Sequence, residues 1–149
     1  MEERFELFTA LITKISRSIR KIKNQEVEEY GLRSPHVSCL YYLYITDGLT
    51  ATELCERCEE DKATVSRSLD YLETNGYILC ESKSAKRYKS PLYLTEQGRM
   101  VAAKVAAKIS RVLDDVSAAM TEEERVAFYR SLAMISDSLD ACIKSDREQ

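Results

Sequence analysis

The 149 residues predict a mostly α chain with one small β-hairpin, a winged helix-turn-helix flanked by long helices from both chain ends. Three observations point there. Apolar residues recur at alternating steps of 3 and 4 in three long stretches near the termini. Four Gly and two Pro leave few turn formers, and no Trp with nine Tyr against three Phe disfavours an all-β sandwich. Between the long stretches lie short segments dense in helix-start and helix-stop signals.

The elements follow in order. Phe5, Phe8, Ile12, Ile15, Ile19 and Ile22 form a heptad seam without Gly or Pro, which predicts one long amphipathic helix over the first 25 residues. Ser34-Pro35 reads as an N-cap followed by proline at the first helical position. The stripe Val37, Leu40, Tyr41, Tyr44 and Ile45 then runs to a stop at Asp47-Gly48. Thr50-x-x-Glu53 is a capping box opening a helix of about two turns through Arg57. Asp61 caps a further helix from Lys62 to Asn75, ended by Gly76. Two short helices joined by a short turn make a helix-turn-helix. Tyr77-Ile78-Leu79-Cys80 and Leu92-Tyr93-Leu94 then read as strands of a hairpin whose tip spans Glu81 to Ser90. After Thr95, Val105, Ile109, Val112, Val116 and Ala119 carry a second seam. The capping box Thr121-x-x-Glu124 opens a third, through Phe128, Leu132, Ile135, Leu139 and Cys142.

Length and a 44% apolar, 32% charged composition suit a single globular domain over 1–149. No apolar run approaches the roughly 18 residues a bilayer requires, and Met1-Glu2-Glu3-Arg4 lacks a signal-peptide layout, so a cytoplasmic chain without membrane contact is expected. Five cysteines, an odd number, point to reduced thiols rather than a disulfide framework. The single histidine, His36, removes most histidine-based schemes. No nucleophile motif or Gly-rich phosphate loop is present either, so no catalytic residues, cofactor or metal is expected and the chain is read as a non-enzyme.

The net charge of −3 and pI near 5.4 argue against indiscriminate nucleic-acid coating. Its distribution points the other way. From Lys62 to Arg99 seven bases face four acids, a local +3, which leaves −6 on the rest of the chain. Phosphate contact needs only such a local surface. On a helical wheel Val65, Leu69 and Leu72 face inward, while Ala63, Thr64, Arg67, Asp70 and Tyr71 face outward. Short residues near the N-terminus permit close approach to a major groove, and Arg67 can bond guanine bidentately. Lys83, Lys86, Arg87 and Lys89 in the hairpin tip fit an adjacent minor groove or backbone.

Other groups admit more than one use. Cys55-x-x-Cys58 resembles half a zinc site or a redox pair, yet no second Cys/His pair follows, and a structural thiol is the plainer reading. Cys39, Cys80 and Cys142 lie on or beside apolar stripes and are read as core. His36 is read as a surface residue of a first helical turn. Phe8, Ile12, Tyr41 and Tyr44 are candidates for a small-molecule effector pocket, against core packing as the plainer use. Glu53, Glu56, Glu59, Glu60 and Asp61 around the turn would repel phosphate if they faced it, which leaves a protein-interaction module as an alternative to a DNA reader.

With these residues in place, the chain resembles the MarR (multiple antibiotic resistance) family of bacterial transcription regulators. The resemblance covers most of the chain. Its most specific stretches are Leu49-Thr50-Ala51-Thr52-Glu53-Leu54-Cys55-Glu56-Arg57, Asp61-Lys62-Ala63-Thr64-Val65-Ser66-Arg67, Leu72-Glu73-x-x-Gly76-Tyr77-Ile78 and Leu94-Thr95-Glu96-Gln97-Gly98. It implies an obligate homodimer built from residues 1–30 and 98–144, with 34–95 as the DNA-binding region, straddling a pseudo-palindromic operator of double-stranded DNA. Most such regulators are repressors, released by a small, often aromatic effector or by cysteine oxidation. Carried over, Thr50 and Thr52 touch phosphate, Lys62, Thr64, Ser66 and Arg67 enter the groove, and the tip bases reach outside it. Where many relatives brace the wing with an Asp and an Arg two residues apart, this chain has Lys86 and Tyr88, implying a looser wing that binds with more charge and less geometry. It also lacks the early first-helix cysteine of peroxide-sensing relatives. A thiol- or metal-responsive variant would have to use Cys55 and Cys58.

Overall fold

The computed structural model describes residues 2–58, 60–81 and 87–147. The expected bases Lys83 and Lys86 lie outside that set, as do the side chains of Arg87 and Phe5. The chain divides into two compact units, Met1–Ile109 and Ser110–Gln149.

Helix α1 runs Glu2–Val27, as its uninterrupted seam predicts. A short 3-10 turn, Glu28–Tyr30, ends at Gly31, whose left-handed φ of 69° lets the chain reverse into helix α2, Ser34–Ile45. Ser34 is therefore the first helical residue and not the cap. Its N–H is satisfied from outside the helix, donating to Asn24 Oδ1 on α1 at 2.7 Å. The local cap comes from His36, whose Nδ1 accepts from the Arg33 N–H at 2.9 Å. Helix α3 spans Ala51–Arg57 and helix α4 spans Lys62–Thr74. Strands β1, Ile78–Cys80, and β2, Leu92–Leu94, pair antiparallel with Ile78 opposite Leu94. The Leu92 N–H also donates to Leu49 O at 2.9 Å, so the residue just ahead of α3 ties the hairpin to the helix-turn-helix.

The core of this unit lies between α2, α3, α4, the hairpin and the start of helix α5, Glu96–Ser117. Val27, Leu40, Leu43, Leu54, Leu72, Ile78, Leu92 and Val101 are all fully buried. At about 1.5–3 kcal/mol per large side chain, this burial dominates the stability of the winged helix. Ion pairs Lys108–Glu26 at 3.2 Å and Lys104–Glu29 link α5 to the end of α1 and the following turn.

By contrast the α1 seam stands exposed at Phe8, Ile12, Ile15 and Ile19. The α5 seam changes along its length: Val105 is buried and Val116 is 64% exposed. Ala119, expected on it, lies beyond the end of the helix. In the second unit, helix α6 spans Glu122–Arg147 and starts with the expected capping box. The Thr121 N–H donates to Glu124 Oε2 at 2.9 Å, and the Glu124 N–H to Thr121 Oγ1 at 3.2 Å. Its seam residues Phe128, Ile135 and Leu139 are exposed, and Cys142, expected in the core, is exposed with them because it follows that seam. Cys80 is half-buried and Cys39 fully buried.

Candidate nucleic-acid interface

The helix-turn-helix is fixed by local caps built on acidic side chains. Around Thr50 the box is reciprocal: the Thr50 N–H donates to Glu53 Oε2 at 2.8 Å, and the Glu53 N–H donates to Thr50 Oγ1 at 3.2 Å. These bonds hold the Glu53 carboxyl below the usual carboxylate range. Asp61 does the same for α4, accepting from the Thr64 N–H at 2.9 Å and from Thr64 Oγ1 at 2.8 Å, which lowers its own pKa. Glu60 pairs with Arg20 of α1 at 3.1 Å. Of the five acids around the turn, three are thus engaged within the molecule; Glu56 is exposed, and Glu59 lies outside the described residues.

The first half of α4 presents basic and small residues outward, with Asp70 and Tyr71 exposed further along. Lys62, Ala63, Ser66 and Arg67 are exposed on α4, with Thr64 half-buried beside them. Arg67 leans back towards the start of the helix, where its NH2 donates to Thr64 Oγ1 at 3.2 Å. Because Thr64 is itself held by Asp61, the guanidinium sits in a chain of hydrogen bonds at the N-terminal turn, with its remaining donors available for a base edge. Thr50 is half-buried with its hydroxyl engaged by Glu53 at 3.0 Å, and Thr52 is exposed.

The root of the wing docks on α3. A 3-10 turn at Arg87–Lys89 brings Tyr88 O to 3.4 Å from Thr52 Oγ1, which donates to it. The Lys89 ammonium lies 5.8 Å from the Tyr88 ring centroid and is exposed. A cleft of about 430 Å³ opens between α3, α4 and this turn, with Val65, Leu69 and Cys55 on its walls and Lys62 and Ser66 at its edge.

Other expected sites fare differently. Tyr41 and Tyr44 are half-buried on α2. Phe8 and Ile12 lie about 22 and 17 Å along α1 from Lys23, the residue whose ammonium meets Ser38 Oγ of α2 at 3.2 Å. The two pairs therefore occupy separate stretches of the chain. Cys55 is half-buried, and burial pushes its thiol up. Cys39, which the Cys55-x-x-Cys58 motif did not include, hydrogen-bonds Cys58, and that bond followed by burial raises its thiol pKa strongly. Raised thiol pKa values oppose the thiolate that redox chemistry and metal binding need. Among the described residues no group of three or more His, Cys, Asp or Glu is placed to hold a metal ion. Nor is any described helix long and apolar enough to cross a membrane.

The sequence also missed His36. Rather than a bland surface residue, it caps α2 and stacks on Tyr71 of α4, with ring centroids 4.8 Å apart. Burial first, and the Arg33 charge second, lower its pKa. Its spacing of three from Arg33 was the one available signal.

Comparison with known proteins agrees with this geometry. The MarR family model matches residues 30–87, which span α2, α3, α4 and β1. YwoH of Bacillus subtilis (strain 168), an uncharacterized HTH-type transcriptional regulator, is 27% identical over 123 residues, covering 83% of this chain and 89% of its own. Two solved structures share the fold. The S. aureus MepR–DNA complex superposes with a TM-score of 0.76 at 22% identity, over 89% of this chain and 96% of that one. Staphylococcus aureus MarR in complex with salicylate and kanamycin does so with a TM-score of 0.78 at 20% identity, over 93% of each. By its reading head and its relatives, then, residues 30–87 are similar to the MarR family of transcription regulators, and the chain has the winged helix-turn-helix fold of the MepR and MarR structures.

Proposed function

We propose that the chain works in the bacterial cytoplasm as a homodimeric repressor of a pseudo-palindromic operator, released by a small, often aromatic effector. The observation that carries this reading is the outward face of the first half of α4, where Lys62, Ala63, Ser66 and Arg67 are exposed while Glu53 and Asp61 hold helix caps and Glu60 an ion pair. Thr50, Thr52 and Thr64 supply hydroxyls near phosphate, and Lys83, Lys86, Arg87 and Lys89 supply charge from the wing. Residues 1–30 and 98–144 form the dimer. The exposed seams at Ile12, Ile15 and Ile19 on α1, and at Phe128, Ile135 and Leu139 on α6, support this because a lone chain gains nothing from such faces. MepR, similar in fold, was solved on DNA, and S. aureus MarR with salicylate, which supports DNA and a small aromatic acid as partners. Phe8, Ile12, Tyr41 and Tyr44 then meet the effector only where dimer helices and reading head come together.

The test is selection of bound duplexes from a random pool. The wild-type chain selects an inverted repeat with half-site centres about 10 bp apart. Arg67→Ala weakens binding by about 1–3 kcal/mol, roughly 5- to 150-fold, and relaxes one position in each half-site. Unchanged affinity and an unchanged consensus in Arg67→Ala would show that α4 does not read the groove. Glu53, Glu60 and Asp61 hold contacts within the fold, and their charge with that of exposed Glu56 is the support for a protein-interaction module as the second reading.

A further inference from the structure

We propose that the Arg20–Glu60 ion pair is a positioning contact that sets the stance of the recognition helix relative to the dimer helices, and so the operator spacing the protein accepts. The inference rests on the dimeric DNA-reading function proposed above.

Helix α1 has two unlike faces. Ile12, Ile15 and Ile19 lie on an exposed apolar face, while Arg20, Lys23 and Asn24, spaced i, i+3 and i+4, form a polar face turned towards the reading head. Lys23 and Asn24 both hold α2: the ammonium donates to Ser38 Oγ at 3.2 Å, and Asn24 Oδ1 accepts from the Ser34 N–H at 2.7 Å. Arg20 reaches the turn between α3 and α4, with NH1 3.1 Å from Glu60 Oε1. Glu60 directly precedes Asp61, whose carboxylate caps α4 through the Thr64 N–H and hydroxyl. A displacement of Arg20 therefore reaches the first turn of the recognition helix through a single peptide link. From there the chain of bonds continues through Thr64 to Arg67.

The energetics favour a geometric role over a stabilising one. The Glu60 side chain is 13% exposed and that of Arg20 52% exposed, so the pair is neither a freely solvated contact nor a fully buried one. Half-exposed pairs add little net stability, because desolvation and side-chain ordering offset most of their Coulomb attraction. A directional guanidinium–carboxylate contact nonetheless fixes distance and angle in a way that an apolar patch does not.

The experiment uses the full-length dimer, the operator recovered by selection, and two duplexes whose half-sites are moved one base pair closer or one further apart. Arg20→Ala is expected to weaken binding to the native spacing roughly three- to tenfold and to weaken the shifted duplexes less, so that discrimination between spacings shrinks. The reversed pair Arg20→Glu with Glu60→Arg recovers the discrimination that either single reversal loses, which a merely structural role does not predict. If Arg20→Ala impairs folding, Glu60→Gln removes the charge at constant shape and carries the same expectation. Unchanged discrimination in a folded, dimeric, DNA-binding variant overturns the inference alone. A wild-type chain that selects no duplex overturns the functional reading and the inference with it.

Discussion

Gly98→Ala tests the packing that joins α4, the hairpin and α5. A Cβ placed on Gly98 would lie 1.9 Å from Tyr77 O and 2.9 Å from Tyr77 C, both backbone atoms. That is about 1.5 Å short of ordinary van der Waals contact. Tyr77 cannot yield freely, since its N–H donates to Leu72 O at 2.8 Å and its carbonyl accepts from the Thr95 N–H at 3.0 Å. Thr95 in turn donates its hydroxyl to Gly76 O at 2.6 Å while accepting from the Gly98 N–H at 3.1 Å. Moving α5 away by the required distance breaks two or three of these bonds at about 1 kcal/mol each, and overpacking adds about 1–3 kcal/mol. Helix propensity alone has the opposite sign, favouring Ala by about 1 kcal/mol. The net is a loss of about 2–5 kcal/mol, or a melting point lower by roughly 5–20 °C for a chain of this size. The measurement is thermal and urea denaturation followed by circular dichroism at matched protein concentration, with Ala107→Gly on the exposed side of α5 as a control that should cost only about 1 kcal/mol. A Gly98→Ala protein as stable as wild type, or more so, would refute the steric reasoning.

Two further outcomes follow. His36 is the only histidine, and its folded pKa is depressed by burial and by Arg33. The neutral ring is therefore the native form, and the unfolded chain binds the extra proton. Stability should be full above the ordinary imidazole pKa of about 6.5 and fall as pH drops below it towards the folded value. His36→Ala should flatten the melting point between about pH 7 and 5, and a curve identical to wild type would mean that the His36 cap does not titrate. Replacing Lys83 and Lys86 by Ala should reduce the slope of log affinity against log salt by about 0.9 for each phosphate that the wing no longer neutralises, roughly 1.8 per protomer. Titrations at several salt concentrations measure this, and an unchanged slope would take the wing out of the DNA interface.

The features legible in the sequence share a short range. Thr50 with Glu53, Asp61 with Thr64, and Thr121 with Glu124 are interactions three residues apart, so their residue types alone locate α3, α4 and α6. Gly76, with φ at 78°, likewise marks the end of α4 in the sequence and in space. What escaped depends on distant partners. Ser34 looked like a cap because Ser-Pro is a common helix start, but Asn24, ten residues earlier, serves its N–H. The Cys39–Cys58 hydrogen bond, the His36–Tyr71 ring contact and the Arg20–Glu60 pair each join residues far apart in sequence, and no local periodicity encodes them. Cys142 was misplaced because a heptad position says which face a residue takes, not whether anything covers that face.

The docking of the wing root on α3 separates address from grip. One flank of the wing tip is held where Cys80 pairs with Leu92 and the Glu81 N–H donates to Pro91 O at 3.2 Å, and the other where Thr52 bonds Tyr88 O. Positions 82–86 lie between these anchors in sequence. The bonds that hold the wing root, Thr52 to Tyr88 O and the Glu81 N–H to Pro91 O, thus share no residue with the chain that runs from Asp61 through Thr64 to Arg67, so each set can be altered alone.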